Sequence, residues 1–407
     1  MATVLLTNIN KIYDSGVQAV FDANLHVQDG EFLTIVGPSG CGKTSVLRMI
    51  AGLETVTSGE LHIGELFAND VDPKDRDLAM VFQNFPLYPN LSVYENMAFG
   101  LKNRNAPKEV VDERVHAAAE MLGLKPYLNS KPKALTGLEK QRVTLGRAIV
   151  REPNAVLFDD PLSNLDVKLK YTMRGELVKL HARMQTTFVY VTRDPAEAMS
   201  LGTRVAVMKD GFVQQVDTPQ NLYDYPNNAF VADYIGGVTL LKNACLEQED
   251  DGVYARLNGG QKILLPTSLC ERISDLNAYL GTGKAIILGV HAEDVMLAPD
   301  GEISATVTEV KKAGEELLLA CAWKDDALPL LVRVGEGTEV AVKDEVKLHV
   351  KGEYLQLFDG ETELTLLARD EGYQQTGSVD SELRPLSVQA MQERIAVANK
   401  PAKVKKK

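Results

Sequence analysis

The octapeptide Gly37-Pro38-Ser39-Gly40-Cys41-Gly42-Lys43-Thr44 constrains this chain more than any other stretch of it. It fits the pattern GxxxxGK[ST] and lies between an apolar run, Phe32 to Val36, and a compact cluster of Val46, Leu47, Met49 and Ile50 suited to a helix. A strand, a tight loop and a helix are required in that order. The glycines let backbone N–H groups turn inward around phosphate oxygens, and the helix N-terminus adds partial positive charge. Lys43 would reach the β- and γ-phosphates of a nucleoside triphosphate, while the Thr44 hydroxyl would bind Mg²⁺. The loop is therefore expected to hold ATP with Mg²⁺.

Downstream, Ala155-Val156-Leu157-Phe158-Asp159 reads as an apolar strand with a carboxylate at its C-terminal end, where α/β sheets present ligand-binding groups. Coupled to the loop, Asp159 is the second support for the metal. Strand-like runs at Thr3 to Ile9, Leu25 to Val27, Phe32 to Val36 and Ala155 to Phe158 alternate with helical patterns. That alternation predicts an α/β domain with a mainly parallel sheet over residues 1–235. From Lys108 to Leu122 the residues Val111, Val115, Ala118, Ala119 and Leu122 recur at helical spacing, which predicts a helical insertion within a subdomain at about 88–150.

Beyond Gly236 the texture changes. The runs Ala285 to Val290, Ala305 to Val310, Glu316 to Ala322 and Val346 to Val350 are separated by Gly, Asp and Lys turns, which predicts a small all-β barrel or sandwich over 236–369. Residues 370–407 read as a polar tail with a short helical pattern from Leu386 to Val397 and a basic end, Lys403 to Lys407.

A chain of 407 residues exceeds one ordinary core, in keeping with two domains. No apolar run approaches the roughly 20 residues of a membrane span, so the chain is not expected to cross a bilayer. Met1 to Gly16 carries Asn8, Asn10, Lys11 and Asp14 and lacks an apolar core with a small-residue cleavage site, so it is not read as a secretory signal and a cytosolic location is expected. Cys41, Cys245, Cys270 and Cys321 lie far apart with no CxxC pair, against a zinc site or a disulfide framework. A formal net charge of −12 argues against broad binding to nucleic acid or anionic lipid, and the lysine run is read as a solvated tail.

Further segments occur in a telling order: Val81-Phe82-Gln83 with Leu87-Tyr88-Pro89, Leu135-Thr136-Gly137 leading into Gln141-Arg142-Val143 and Gly146-Arg147-Ala148, Pro161-Leu162-Ser163-Asn164-Leu165-Asp166, and Val191-Thr192 with Ala196-Glu197-Ala198. In this order they resemble the ABC-type ATPases. Leu87 to Lys102 is similar to the sugar-importer ATPases of the maltose and multiple-sugar group, and Gly289-Val290-His291-Ala292-Glu293-Asp294 looks like a worn version of that group's Arg-Pro-Glu-Asp turn in its C-terminal β domain. The resemblance covers roughly residues 3 to 365.

It implies a P-loop nucleotide-binding domain with a helical subdomain, followed by an OB-like, TOBE-type regulatory β domain. It also implies that Tyr13 stacks on adenine, that Gln83 senses Mg²⁺ and the attacking water, that Asp166 lies at a subunit seam, and that Leu135, Thr136 and Gly137 belong to the signature loop that meets the partner's ATP. Phe85, Leu87, Tyr88 and Val93 would form the groove that receives a helix of a transmembrane permease. An extracytoplasmic solute-binding protein would take part indirectly, with this chain peripheral on the inner face of the membrane.

Three positions depart from the resembled pattern. Where the group has a catalytic Glu after the strand Asp, this chain has Asp160, shorter by one methylene. Misplacing a catalytic group by about 1 Å can lower a rate on the order of 100-fold. The switch His is replaced by Arg193, which only donates and stays charged. The signature loop, usually Leu-Ser-Gly-Gly-Gln, reads Leu135-Thr136-Gly137-Leu138-Glu139, with a side chain at Leu138 where backbone must approach phosphate and a negative charge at Glu139. Intact nucleotide binding with weakened hydrolysis is expected. A homodimer would combine all departures in both sites, so a heterodimer with a second, different ATPase subunit is favoured over a homodimer. The alternative is a regulatory or structural subunit that binds nucleotide and barely hydrolyses it.

Overall fold

The computed structural model describes residues 2–83, 87–323, 329–370, 373 and 386–398. The chain divides into two compact units, Met1–Pro219 and Gln220–Gln375, the second also taking in Arg384–Val397.

The first unit runs β1 (Val4–Ile12), β2 (Gln18–Val27), β3 (Phe32–Val36), α1 (Lys43–Ala51), β4 (Ser58–Ile63), β5 (Leu66–Phe67), β6 (Leu78–Val81), α2 (Val93–Lys102), α3 (Lys108–Met121), α4 (Gly137–Ile149), β7 (Ala155–Asp159), α5 (Val167–Met184), β8 (Thr187–Thr192), α6 (Pro195–Leu201), β9 (Arg204–Lys209) and β10 (Phe212–Asp217). Its strands form a six-stranded sheet of order β10-β9-β3-β8-β7-β6, parallel except for the β9–β10 hairpin, and an antiparallel sheet of order β2-β1-β4-β5.

Strands covered on both faces read as unbroken apolar runs, and here the alternation is split between two cores. On one face Phe32, Val156, Phe158, Phe188 and Tyr190 join Val93, Met97, Val115, Val143, Met173 and Leu177 of the helical layer. On the other, Leu33, Ile35, Leu157, Val189 and Val191 meet Val46, Leu47, Met49 and Ile50 of α1, with Val4, Leu6, Val20 and Leu25 of the antiparallel sheet in the same core. Helix α1 is held from both sides, and its start is fixed with it.

Register then decides where the strands end. Val36 pairs with Thr192, Asp159 with Val191 and Val81 with Phe158. The chain therefore leaves β3, β8, β7 and β6 side by side at one edge of the sheet, the carboxyl edge where α/β sheets place ligands.

The second unit carries β11 (Thr239–Glu249), β12 (Gly252–Arg256), β13 (Lys262–Leu265), β14 (Ile286–Val290), β15 (Val295–Leu297), β16 (Ile303–Ala313), β17 (Glu316–Trp323), β18 (Leu330–Gly335), β19 (Glu345–Val350) and β20 (Gln356–Asp359). They make two five-stranded antiparallel sheets, β13-β12-β11-β14-β20 and β15-β19-β16-β17-β18, whose buried residues, such as Leu246, Ile263, Leu288, Val307, Leu319 and Leu348, share one core.

This unit opens at Gln220, ahead of the start expected at 236. The reason is pairing with distant residues of the same unit: Ala229 N–H donates to the Glu363 carbonyl, Thr365 N–H donates to the Asn227 carbonyl, and Tyr223 stacks on buried His291 at 4.4 Å. The His291 turn belongs to the stretch Gly289 to Asp294, and burial pushes the His291 imidazole below its ordinary range. In the region read as a tail, Val388–Ala398 is helical, and Val388 N–H donates to the Thr362 carbonyl. The lysine run 403–407 lies outside the described residues. Among those described, no helix is long and apolar enough to cross a membrane.

Candidate functional site

The loop after β3 is shaped by what it cannot accommodate. A Cβ at Gly37 would stand 2.1 Å from the Met208 carbonyl oxygen, and one at Gly42 would stand 2.4 Å from that of Ala19. Gly40 and Gly42 hold φ of 82° and 96°, the left-handed region that disfavours L side chains. Pro38 and Ser39 form the rim, and Cys41 is buried beneath it. The Lys43 side chain folds into the loop, its ammonium donating to the carbonyls of Gly37 at 2.7 Å and Pro38 at 2.6 Å, with the Cys41 sulfur at 3.3 Å. One turn of chain thus surrounds a buried cation.

Thr44, at the start of α1, donates its hydroxyl to Asp159 Oδ1 at 3.0 Å. A hydroxyl and a carboxylate in contact beside a phosphate-type loop are the oxygen donors a hard divalent cation takes. The residues fit Mg²⁺ on that ground, and Thr44 and Asp159 would be the side chains to hold it.

Asp160 follows at the end of β7, in a left-handed conformation with φ of 46° and its N–H bonded to the Val191 carbonyl. Aspartate is several-fold more common than longer residues in that region. Arg193, at the end of β8, donates through Nε to Asp160 Oδ2 at 3.2 Å and through a terminal nitrogen at 3.1 Å, with the other terminal nitrogen 3.2 Å from Ser39 Oγ. A carboxylate from one strand end is therefore bridged to the phosphate-type loop of another.

Gln83, after β6, donates from Nε2 to Ser163 Oγ at 3.0 Å, and Ser163 donates to the Asp160 carbonyl at 2.8 Å. Ser163 carried no role in the sequence reading; it connects Gln83 to the backbone of Asp160. Tyr13 reaches the site from the β1–β2 turn: its hydroxyl bonds Ser45 of α1 at 2.9 Å, and the Lys11 ammonium lies over its ring at 4.9 Å.

Glu197 was legible as part of Ala196-Glu197-Ala198, but its part in the fold was not. It is fully buried in α6 and accepts from Thr192 Oγ1 at 2.8 Å and Tyr190 OH at 3.0 Å, with Lys170 and Arg174 of α5 at 3.5 and 3.6 Å. Arg174 also pairs with Asp194 at 2.9 Å. Both neighbours of Arg193 are thus fixed, Thr192 by Glu197 and Asp194 by Arg174, so the arginine projects from a braced loop. Burial, together with Glu197, pushes the Tyr190 hydroxyl well above its ordinary range and keeps it a donor.

Among the described residues, Leu135, Thr136, Gly137 and Asp166 make no hydrogen bond to this cluster. Thr136 caps α4: its hydroxyl accepts from Glu139 N–H at 3.3 Å, while the Glu139 carboxylate accepts from Thr136 N–H at 2.7 Å. The bond from the Thr136 amide, and then that from the Tyr127 hydroxyl, hold the Glu139 carboxyl below the usual carboxylate range. The negative charge expected at Glu139 is thereby fixed on the helix start. Leu135 is buried, Gly137 has open space beside its Cα, and Leu138 turns onto the helical core. Its side chain is thus partly withdrawn from the surface it was expected to obstruct. Asp166 caps α5 by accepting from Leu169 N–H at 2.9 Å and is exposed.

Ahead of α2, the loop with Leu87 and Tyr88 is held by Asn96, which is fully buried. Asn96 accepts from Tyr88 N–H and donates to the carbonyls of Tyr88, Leu91 and Ser92 at 2.9 to 3.1 Å. Tyr88 is partly exposed between Phe99, 4.5 Å between ring centroids, and the Arg147 guanidinium at 4.7 Å, while Val93 is buried. Phe85 lies outside the described residues. Asn96→Ala strips these buried groups of their partner and is expected to lower unfolding stability by about 3 kcal/mol. Urea denaturation checks this, with nucleotide affinity of the folded fraction expected to stay unchanged because the loop at Gly37 is built from other elements.

Comparisons with known proteins agree on one family. The ABC transporter family matches residues 20–163. The ABC transporter ATP-binding protein YcjV of Escherichia coli O157:H7 is 44% identical over 370 residues, 90% of this chain and 100% of that one. The oligosaccharides import ATP-binding protein MsmX of Bacillus subtilis (strain 168) is 42% identical over 373 residues, again 90% and 100%. The osmoprotective compounds uptake ATP-binding protein GgtA of Synechocystis sp. is 43% identical over 366 residues, with the same shares.

Proposed function

Because this chain belongs to the family of ABC transporter ATP-binding proteins, we propose that it is the energy-coupling subunit of a membrane importer for a carbohydrate or similar small polar solute. The observation that carries this reading is the pairing of a complete phosphate-type loop around Lys43 with Thr44 and Asp159 in contact at 3.0 Å. MsmX, an oligosaccharides import protein, and GgtA, an osmoprotective compounds uptake protein, supply the solute class. In this reading the loop from Gly37 to Thr44 binds the ATP phosphates, Tyr13 carries the adenine, and Thr44 and Asp159, with Gln83, would hold Mg²⁺, which would supply neutralising charge to the phosphates. ATP draws two ATPase subunits together at Leu135 to Gly137 and Asp166, and the surface at Leu87 and Tyr88 passes that closure to the permease. The chain sits on the inner face of the membrane, with the β unit as a regulatory or bracing element.

Turnover is the weaker half of the function. Hydrolysis needs a carboxylate that accepts a proton from water as the water oxygen bonds the γ-phosphorus and ADP leaves. Asp160 is the carboxylate available, and it is ion-paired to Arg193. The short reach of the Asp160 carboxylate, with Glu139 on the signature helix, favours a second reading: a subunit that closes on ATP and leaves most hydrolysis to a different partner. A complex purified from its native host through a tag on this chain is expected to contain permease subunits and a second, distinct ATPase subunit. Two copies of this chain alone with brisk ATP turnover would overturn the heterodimer.

A further inference from the structure

Arg193 does something in this site that phosphate binding by the loop does not require. Its guanidinium gives two nitrogens to one oxygen of Asp160 and one nitrogen to Ser39, so it already spans from the carboxylate to the rim of the loop. We propose that Arg193 is a specificity-determining residue shared between Asp160 and a terminal phosphate, so that a triphosphate draws the guanidinium off Asp160 and a diphosphate leaves the pair intact. This rests on the reading of Gly37 to Thr44 as an ATP site.

The physical case has three parts. A guanidinium is a planar fork that can serve one carboxylate or one phosphoryl group bidentately, but not both with the same edge. The pair it now makes is easily exchanged, because the Arg193 side chain is 51% exposed and that of Asp160 13%. A terminal phosphate carries more charge than a carboxylate and offers three oxygens, so it is the stronger competitor. The exchange needs no backbone movement, since Thr192 and Asp194 on either side are anchored by Glu197 and Arg174. Only the arginine side chain swings.

The consequence is that the proton acceptor is unmasked by the nucleotide that needs it. With Arg193 on Asp160, the carboxylate is paired and a poor base; with Arg193 on the γ-phosphate, Asp160 is free. ADP offers no γ-phosphate, so Asp160 stays paired and the site gives the triphosphate an advantage that the loop alone does not.

Equilibrium affinities for ADP and for a non-hydrolysable ATP analogue, with Mg²⁺, test this in the full-length wild type, R193Q, D160N and the double variant. R193Q is expected to weaken the analogue about tenfold and ADP less than twofold. D160N is expected to tighten the analogue several-fold when Arg193 is present and far less in the R193Q background. The sign of that coupling is the decisive readout: if Arg193 merely screens Asp160, relief by D160N is larger when Arg193 is gone. Equal losses for both nucleotides in R193Q, or an equal or larger gain from D160N without Arg193, overturn the proposal. Thermal melting of each variant confirms folding, and R193K, which keeps charge without the fork, is expected to lie between wild type and R193Q. A wild type that binds neither nucleotide would instead sink the ATP-site reading itself.

Discussion

Exchange of Lys43 for methionine (K43M) is expected to weaken ATP binding by about 100-fold while leaving the melting temperature of the protein without nucleotide unchanged or raised. The first half follows from position. The Lys43 ammonium lies at the centre of a loop whose glycines admit nothing larger, and hydrogen bonds to charged groups contribute about 1.5–3 kcal/mol each. The second half follows from burial. Lys43 is 5% exposed, and its charge is met by two neutral carbonyls and a thiol, with no carboxylate among the described residues paired to it. A buried charge compensated only by dipoles is an expensive way to hold a loop, so an apolar chain of similar length is not expected to destabilise it. Titration with a fluorescent ATP analogue, alongside thermal denaturation with and without ATP, checks both halves. Wild-type affinity in K43M would remove the basis of the ATP assignment, whereas a fall in both affinity and melting temperature would mean that the lysine mainly braces the fold.

The variant D160E/R193H/L138G/E139Q is expected to raise ATP turnover by about 100-fold, because a catalytic carboxylate misplaced by about 1 Å forfeits roughly that factor. Asp160→Glu lengthens the carboxylate, and Arg193→His replaces a guanidinium that only donates with a ring that can also accept. Glu139→Gln removes a negative charge from the signature helix and preserves its cap, since glutamine serves the same capping box. The structure also says where the variant will suffer. Position 160 is left-handed, which suits aspartate better than glutamate, and Leu138 rests on the helical core, so glycine there loses apolar contact and adds chain entropy. A drop in melting temperature with a gain in kcat is the expected signature. The triple variant that keeps Leu138 separates the steric part from the chemical part, and no gain in either variant would mean that other positions limit the rate.

Much of the fold could be read from the residues because both faces of the parallel sheet are covered. Phe32–Val36, interrupted only by Thr34, and Ala155–Asp159, apolar up to its final carboxylate, stand out as buried runs, and these two expected strands coincide with the observed ones to within a residue. In β2 only Leu25 to Val27 was legible. There Asn8 and Asp22 adopt positive φ and the register with β1 shifts, so the alternation that marks a half-exposed strand is interrupted. Residues 223–229 carry no local pattern for a related reason: they are held by one isolated bridge, backbone hydrogen bonds and side-chain contacts to His291 and to residues 356–365.

Within the site, the loop and the carboxylates were visible because their chemistry demands particular residue types. The Arg193–Asp160–Ser39 bridge and the Ser163 link were not, since Ser39 fills an unspecified position of the loop pattern, Ser163 has no assigned role in its segment, and only the register of four strands brings them into range. Leu138 shows the converse limit. Sequence reveals that a side chain is present but not which way it turns.

The side-by-side exit of β3, β8, β7 and β6 has a consequence for how this protein survives in a cell. Positions 37, 83, 159 and 193 are distant along the chain, and no partly folded segment contains more than a fraction of the binding groups. Nucleotide can therefore grip only molecules in which the whole sheet has been completed, and at 100 times its dissociation constant it would shift the folding balance by about 2.7 kcal/mol. In that sense the ligand acts as a quality inspector: well supplied with ATP, the chain is protected from proteases, and when the nucleotide pool falls the same molecules open more often and become candidates for removal.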